Sequence, residues 1–399
     1  MNIENVAAMS ERYLMNTYKR LPVSFTGGSG YELAGSDGKT YIDFLAGIAV
    51  NNLGYSNKKI VEAIKAASEK PIHVSNLYLI KPQAELAKRY IEHSCLDKAF
   101  FGNSGAEANE AAIKLARKYS ADNYQYNRYR IITLEGSFHG RTMATITATG
   151  QKRFHNYFNP FLDGFIYAQP NDFEKTVESI DKSVAAVMVE LVQGEGGIRV
   201  LSKDYIKRLY QYCNENDIIF AVDEIQTGMG RTGKLFSYQH YDIEPDIITV
   251  AKAAGGGLPI GVMLAKSKYA ESFTPGTHAS TFGGSPFVCS VASAFFDELI
   301  SGGYIENAKI MGDYIIDRLN NLKGRFPGKV LDVRGLGLLI GIELSGDLAL
   351  QFYRFAFENG LLVGVAGNNV VRFEPPLMID RKAADFAIML FERFLSGKD

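Results

Sequence analysis

Over most of its middle the chain alternates short apolar runs with helix-period stretches. Runs at 99–101 (AFF), 130–134 (RIITL), 184–191 (VAAVMVEL), 218–222 (IIFAV), 246–250 (DIITV) and 259–265 (PIGVMLA) predict strands. Between them, AEANEAAIKLARKYS (106–120) and KDYIKRLYQYCNEN (203–216) predict helices from the spacing of their apolar residues. Nearly continuous Val/Ile/Ala strands separated by helices predict a mainly parallel sheet covered on both faces, an α/β unit. Ligands of such sheets bind beyond the carboxyl ends of the strands, so the residues just after each run are the first candidates for chemistry.

The rhythm changes after residue 300. A long amphipathic stretch, 304–323, leads into short strands at VLDVRG, LLIGIEL, LLVGV and VVRFEP, and RKAADFAIMLFERF (381–394) predicts a closing helix. This reads as a smaller α+β domain, which the segment Gly30–Leu45, with its hairpin-like GSDGKT turn, joins or lies alongside. The expected division is 1–50 with the small domain, 51–298 as the large domain, and 299–399 as the rest of the small one.

Composition narrows the function classes. Among 399 residues, 46% are hydrophobic and 22% charged, ordinary for a globular protein, which excludes disorder as the main theme. The net charge of -1 gives no footprint for nucleic acid or an anionic membrane. Cys95, Cys213 and Cys289 form no CxxC pair, and the six histidines show no metal-ligand spacing. The N-terminus is unlike a signal peptide, and no apolar run reaches the ~18 residues of a membrane helix. The expectation is a cytoplasmic protein without a metal, bound neither to nucleic acid nor to membrane.

Three motifs carry candidate chemistry. AFFGNSGAEANEAA reads as a strand, a small-residue loop (Gly102, Asn103, Ser104, Gly105) and a helix. Such a start lets backbone N–H groups approach an anion, although Ser104 with Glu107 is equally a plain capping box. In IIFAVDEIQTGMGRTG a strand delivers Asp223 into a Gly-rich loop. There it could coordinate a metal, act as a base, neutralise a cationic ring nitrogen, or cap the next turn. In DIITVAKAAGGGLPIG, Lys252 stands two residues past a strand among small residues, where desolvation disfavours the ammonium. A snorkelling surface lysine fits that pattern too. Together the three match the needs of pyridoxal phosphate: a phosphate anchor, a carboxylate for the pyridine nitrogen and an amine for the aldehyde.

Eight blocks then occur in one order: LPVSFTGGSGYELAGSDGKTYIDFLAGIAVNNLGY, FFGNSGAEANEAAIKLARK, GSFHGRT, VELVQGEGGI, DEIQTGMGRTGK, AKAAGGGLPIG, HASTFGGSP and VVRFEPPL. By these the chain resembles the class III (ω-amino acid) aminotransferases almost end to end, and most closely those acting on N2-acetylornithine. The resemblance implies fold type I: a large domain with a mainly parallel seven-stranded sheet, and a smaller α+β domain from both chain ends. It also implies bound pyridoxal 5'-phosphate and a homodimer with shared active sites. Carried over by position, Lys252 binds the cofactor's aldehyde and Asp223 pairs with its pyridine nitrogen. Ser104, Gly105 and Ala106 lie at its phosphate, Phe138 on its ring, and Gln226 beside its 3'-oxygen. Thr281 reaches the phosphate in the neighbouring subunit.

For substrate, the resemblance implies that Arg372 takes the α-carboxylate of glutamate or 2-oxoglutarate, with Glu195 as the gate that pairs with it otherwise. Arg141, with Ser280 nearby, takes the α-carboxylate of N2-acetylornithine, and Tyr18 faces the substrate. The implied reaction moves the δ-amino group of N2-acetylornithine to 2-oxoglutarate, a step of arginine biosynthesis. Free ornithine, succinylornithine, succinyldiaminopimelate and 4-aminobutyrate are the alternative donors, and a non-catalytic binder is the alternative of another class. GSFHGRT favours the acetylated donor, because the ornithine enzymes tend to carry a tryptophan where His139 stands. Tyr55, Asn57 and Leu191 depart from the family pattern.

Overall fold

The computed structural model describes residues 3–124 and 127–397; Met1, Asn2, Gln125, Tyr126, Lys398 and Asp399 lie outside the described residues. Its central sheet has seven strands in the spatial order Lys98–Gly102, Gly261–Ala265, Ile247–Val250, Ile219–Asp223, Val184–Val189, Arg130–Leu134, Phe165–Ala168. Gly261–Ala265 runs against both neighbours, so the other six point one way and end along one edge. Both faces are covered. Phe220, Val222 and Ile248 enter one hydrophobic core, while Ile219, Ala221 and Ile247 enter the other. That double burial is why these strands read as continuous apolar runs instead of alternating ones.

Phe165–Ala168 is absent from the sequence-based expectation. It is a four-residue edge strand whose short apolar run, FIYA, has three of its four residues at least partly exposed. The run expected over 184–191 leaves the sheet at Val189, and Glu190 begins the following turn.

Two smaller sheets flank this unit. One joins Phe25–Ser29, Glu32–Gly35 and Thr40–Asp43 to Leu361–Leu362, which pairs parallel with Thr40–Asp43. The other is antiparallel and built from Val330–Leu336, Leu339–Leu344, Val370–Phe373 and Gly364–Ala366. Arg372 stands opposite Gly341 and Gly364 in that ladder. A Cβ on Gly364 would lie 3.2 Å from Arg372 Nε, so the glycine leaves room for the guanidinium.

The three departures from the family pattern have local structural roles. Tyr55 donates its hydroxyl proton to buried Asp43 at 2.6 Å. Asn57 caps the helix Lys58–Ser68, and Leu191 is fully buried. Among the described residues no helix is long and apolar enough to cross a membrane.

Candidate active site

Several of the aligned strands end at one cavity of about 420 Å³, lined by residues that include Asn103 to Ala106, Phe138, Glu190, Glu195, Asp223, Gln226 and Lys252. Asp223 closes its strand and is buried. Its Oδ2 accepts from Asn109 Nδ2 at 2.8 Å and from His139 Nδ1 at 2.8 Å, while Oδ1 accepts from the Ile225 amide at 3.0 Å. The turn-capping role is thus filled by Oδ1, while Oδ2 is held by two side chains. Asn109 is held in turn, accepting from Thr249 Oγ1 at 2.6 Å and donating to the His139 carbonyl at 2.7 Å. Sequence reasoning missed Asn109 and did not place His139 here. A signal existed for Asn109, a polar residue on the buried Ala-rich face of the helix Gly105–Tyr124.

Lys252 adopts a left-handed backbone, φ 50°, as it opens a short 3-10 turn. In a non-glycine residue that conformation costs of order 1–3 kcal/mol, the kind of strain that surrounding structure retains at functional sites. The side chain lines the cavity. Desolvation lowers its pKa below the ordinary lysine value; Glu374, Glu195 and Glu190 oppose the shift, and Arg372 adds to it.

The helix Gly105–Tyr124 begins at the same wall, where its first-turn N–H groups have no intrahelical acceptor. The cap forms as well: the Glu107 amide donates to Ser104 Oγ at 3.2 Å, and Ser104 Oγ donates to Glu107 Oε2 at 3.1 Å. Ser104's hydroxyl is therefore engaged within the cap, while the backbone of Gly105 and Ala106 stays available. Among the described residues, buried Gln226 has no partner at Nε2. Phe138 packs edge-on to Phe154, ring centroids 5.3 Å apart, and its amide donates to Glu190 Oε2 at 2.8 Å.

Glu190 went unnoticed in the sequence because it ends an apolar run that reads as strand. It is buried, and it also accepts from the Gly194 amide at 3.3 Å. Burial first, and the negative charge of Asp223 second, push its pKa well above the usual carboxylate range.

At the far side lies Arg372, buried on its strand. Its Nη1 donates to Glu195 Oε1 at 2.5 Å, and its Nε lies 3.0 Å from Glu374 Oε2. The second contact is ionic, since the Nε–H is not aligned on the carboxylate. Burial alone would lower the arginine's pKa, but the charges of Glu374 and Glu195 more than offset it.

Arg141 is exposed, its guanidinium carbon 4.3 Å from the Phe154 ring centre and 5.6 Å from that of Phe138. Among the described residues it has no ion-pair partner. Five expected residues are not part of the cavity's lining within one chain: Arg372, which meets it through Glu195, and Arg141, Tyr18, Ser280 and Thr281. Tyr18 is 71% exposed and stacks with Arg20. Ser280 and Thr281 line a second cavity, of about 720 Å³, because their loop runs beyond the sheet edge. The two cavities are linked where Asn103 Nδ2 donates to Ser280 Oγ at 3.2 Å.

Pyridoxal phosphate fits this donor set. Among the described residues, one cavity presents free N–H groups at a helix start, a rigidly held buried carboxylate, an amine of lowered basicity and a buried amide, Gln226 Nε2, lacking an acceptor. Among the described residues no cluster of His, Cys, Asp or Glu could hold a metal ion.

The aminotransferase class-III family model matches residues 13–395. The acetylornithine aminotransferase of Caldanaerobacter subterraneus subsp. tengcongensis is 46% identical over 386 residues, covering 97% of this chain and 98% of that one. The solved acetylornithine aminotransferase of Elizabethkingia anophelis superposes with a TM-score of 0.89 at 30% identity, over 100% of both chains. An ornithine aminotransferase of Toxoplasma gondii, with partial occupancy of PLP at its active site, superposes with a TM-score of 0.94 at 29% identity, over 99% of this chain and 94% of that one. This chain belongs to the class-III aminotransferases, and it is a pyridoxal-phosphate-dependent transaminase of α/β fold.

Proposed function

We propose that this transaminase moves the δ-amino group of N2-acetylornithine to 2-oxoglutarate, giving N-acetylglutamate 5-semialdehyde and glutamate, in arginine biosynthesis. The Glu195–Arg372 pair carries the reading, with its 2.5 Å contact and a Glu195 side chain still 27% exposed. An arginine that a mobile carboxylate can cover or release suits an enzyme that takes an ω-amine and a dicarboxylate in turn.

Pyridoxal phosphate supplies an aldehyde for the amino group and a ring that spreads charge from the carbon bearing it. The amides of Gly105 and Ala106, with Ser104, hold its phosphate. Asp223 keeps its ring nitrogen protonated, Phe138 covers the ring, and Gln226 meets the 3'-oxygen. Lys252 would bind the cofactor's aldehyde and, when a substrate amine is bound there instead, would take the proton from the substrate's δ-carbon at Nζ. Arg372 binds the α-carboxylate of 2-oxoglutarate once Glu195 withdraws. Arg141, with Ser280, binds that of N2-acetylornithine, and Tyr18 faces the substrate.

The working form in this reading is a cytoplasmic homodimer, divided at 1–50, 51–298 and 299–399, in which Thr281 serves the neighbouring subunit's phosphate. Support comes from large apolar side chains left open near the second cavity: Leu77 is 88% exposed, Leu79 103% and Phe282 63%. Sedimentation at the mass of a monomer would remove that part of the proposal.

The purified protein should form glutamate from 2-oxoglutarate faster with N2-acetylornithine than with free ornithine. Faster turnover of free ornithine would favour a second reading, which the likeness to the Toxoplasma gondii enzyme supports. Lys252→Ala should lose the visible absorbance of the lysine-bound cofactor and slow transamination by at least about 10²–10⁴-fold. A wild-type rate in that variant would sink the assignment.

A further inference from the structure

Two residues beyond Arg372, Glu374 is wholly buried and has no part in the steps above. Among the described residues no hydrogen-bond donor reaches either of its carboxylate oxygens; its one close polar contact is Arg372 Nε at 3.0 Å. A carboxylate buried without donors is unfavourable unless cations compensate it. Here they do. Glu374 is the foremost negative charge acting on Arg231, Arg372 and Lys252 alike.

The guanidinium of Arg372 therefore has two occupied edges of different character. Its Nη edge holds Glu195, which is partly exposed and lines the cavity. Its Nε edge holds Glu374, whose backbone amide is pinned to the Phe44 carbonyl at 2.8 Å and whose side chain is sealed from solvent. One carboxylate can leave and the other cannot.

We propose that Glu374 is a fixed second counter-ion that keeps Arg372 paired while Glu195 is exchanged for a substrate carboxylate, and that leaves the Nη edge as the one offered to that carboxylate. The inference rests on the roles proposed above for Arg372 and Glu195. Separating a buried ion pair is costly because it strands a bare charge; with Glu374 in place Arg372 is never bare. Holding the Nε side also orients the planar fork, so an incoming carboxylate meets it end-on. Glu374 is thus a positioning residue for the dicarboxylate, and binding of the amine donor, which leaves Glu195 in place, does not use this contact.

Glu374→Gln keeps the shape and removes the charge. In the holoenzyme, calorimetric titration with glutarate should show binding weakened roughly tenfold or more, the scale of one charged contact. The KM for 2-oxoglutarate should rise in step, while that for N2-acetylornithine moves by less than about threefold, well under that scale. Glu374→Asp, which keeps the charge, should recover part of the loss. Equal changes in both KM values, or unchanged glutarate affinity, would overturn the proposal. The glutarate titration needs no amino donor, so a wild-type protein inactive on N2-acetylornithine would count against the proposed reaction alone. If Glu374→Gln does not fold, Glu195→Ala decides the matter. With Glu374 still pairing Arg372, its Tm should stay within about 3 °C of wild type, and a larger fall overturns the inference.

Discussion

At the Asp223 end of the cavity, one buried carboxylate is held by an amide side chain from a helix, an imidazole from a loop and a backbone N–H of its own turn. At the Arg372 end, one buried cation lies between two carboxylates, and only one of those is sealed from solvent. Directional hydrogen bonds from three elements fix the position of Asp223, which suits the cofactor-holding role proposed for it. An ion pair with a partly exposed partner is exchangeable, which suits a place where two substrates alternate.

The largest test of the contrast is Asp223→Ala. It leaves His139, Asn109 and the Ile225 amide without their acceptor, at about 1–3 kcal/mol for each stranded donor. The melting temperature should fall steeply and pyridoxal phosphate should no longer be retained. An unchanged thermal melt would show that this end is not the rigid one.

An intermediate test lies between the two ends. A Cβ at Gly194 would sit 1.4 Å from Gln226 Oε1, so Gly194→Ala must displace Gln226. Overpacking of this kind costs about 1–3 kcal/mol. Cofactor retention, followed by absorbance after dialysis, should weaken, and the KM for 2-oxoglutarate should move less. If that KM moves more, the ends are coupled through Gly194.

The smallest effect belongs to Glu190→Gln. Because the folded protein raises the Glu190 pKa, this group's contribution to stability is present at low pH and is lost as pH rises above the ordinary carboxylate value of 4.5. Glutamine does not titrate. The variant's Tm should therefore gain on wild type as pH rises above 4.5. Parallel Tm curves would mean that neither burial nor Asp223 shifts Glu190 in the folded protein.

Much of this arrangement is legible in the sequence, for a physical reason. A strand buried on both faces must be apolar throughout, so Ile219–Asp223 and Ile247–Val250 announce themselves, and the polar residues just past them stand out. The edge strand Phe165–Ala168 is apolar too, FIYA, yet three of its four residues are left at least partly exposed, which the run alone does not reveal. Asn109, Glu190 and Glu374 were hidden differently. Each is a single polar residue inside an apolar pattern, and the pattern alone does not say what will compensate it.

By itself the sequence determined the sheet, the edge at which Lys252 and Asp223 emerge, and the family to which the motifs belong. These follow from local periodicity and from short contiguous blocks. The tertiary structure alone decided that Asn109 and His139 meet on one oxygen of Asp223, that Lys252 is strained, and that Arg372 lies between two carboxylates far apart in the chain. Those facts depend on which charges share a desolvated volume, and desolvation is a property of the packed whole rather than of any segment.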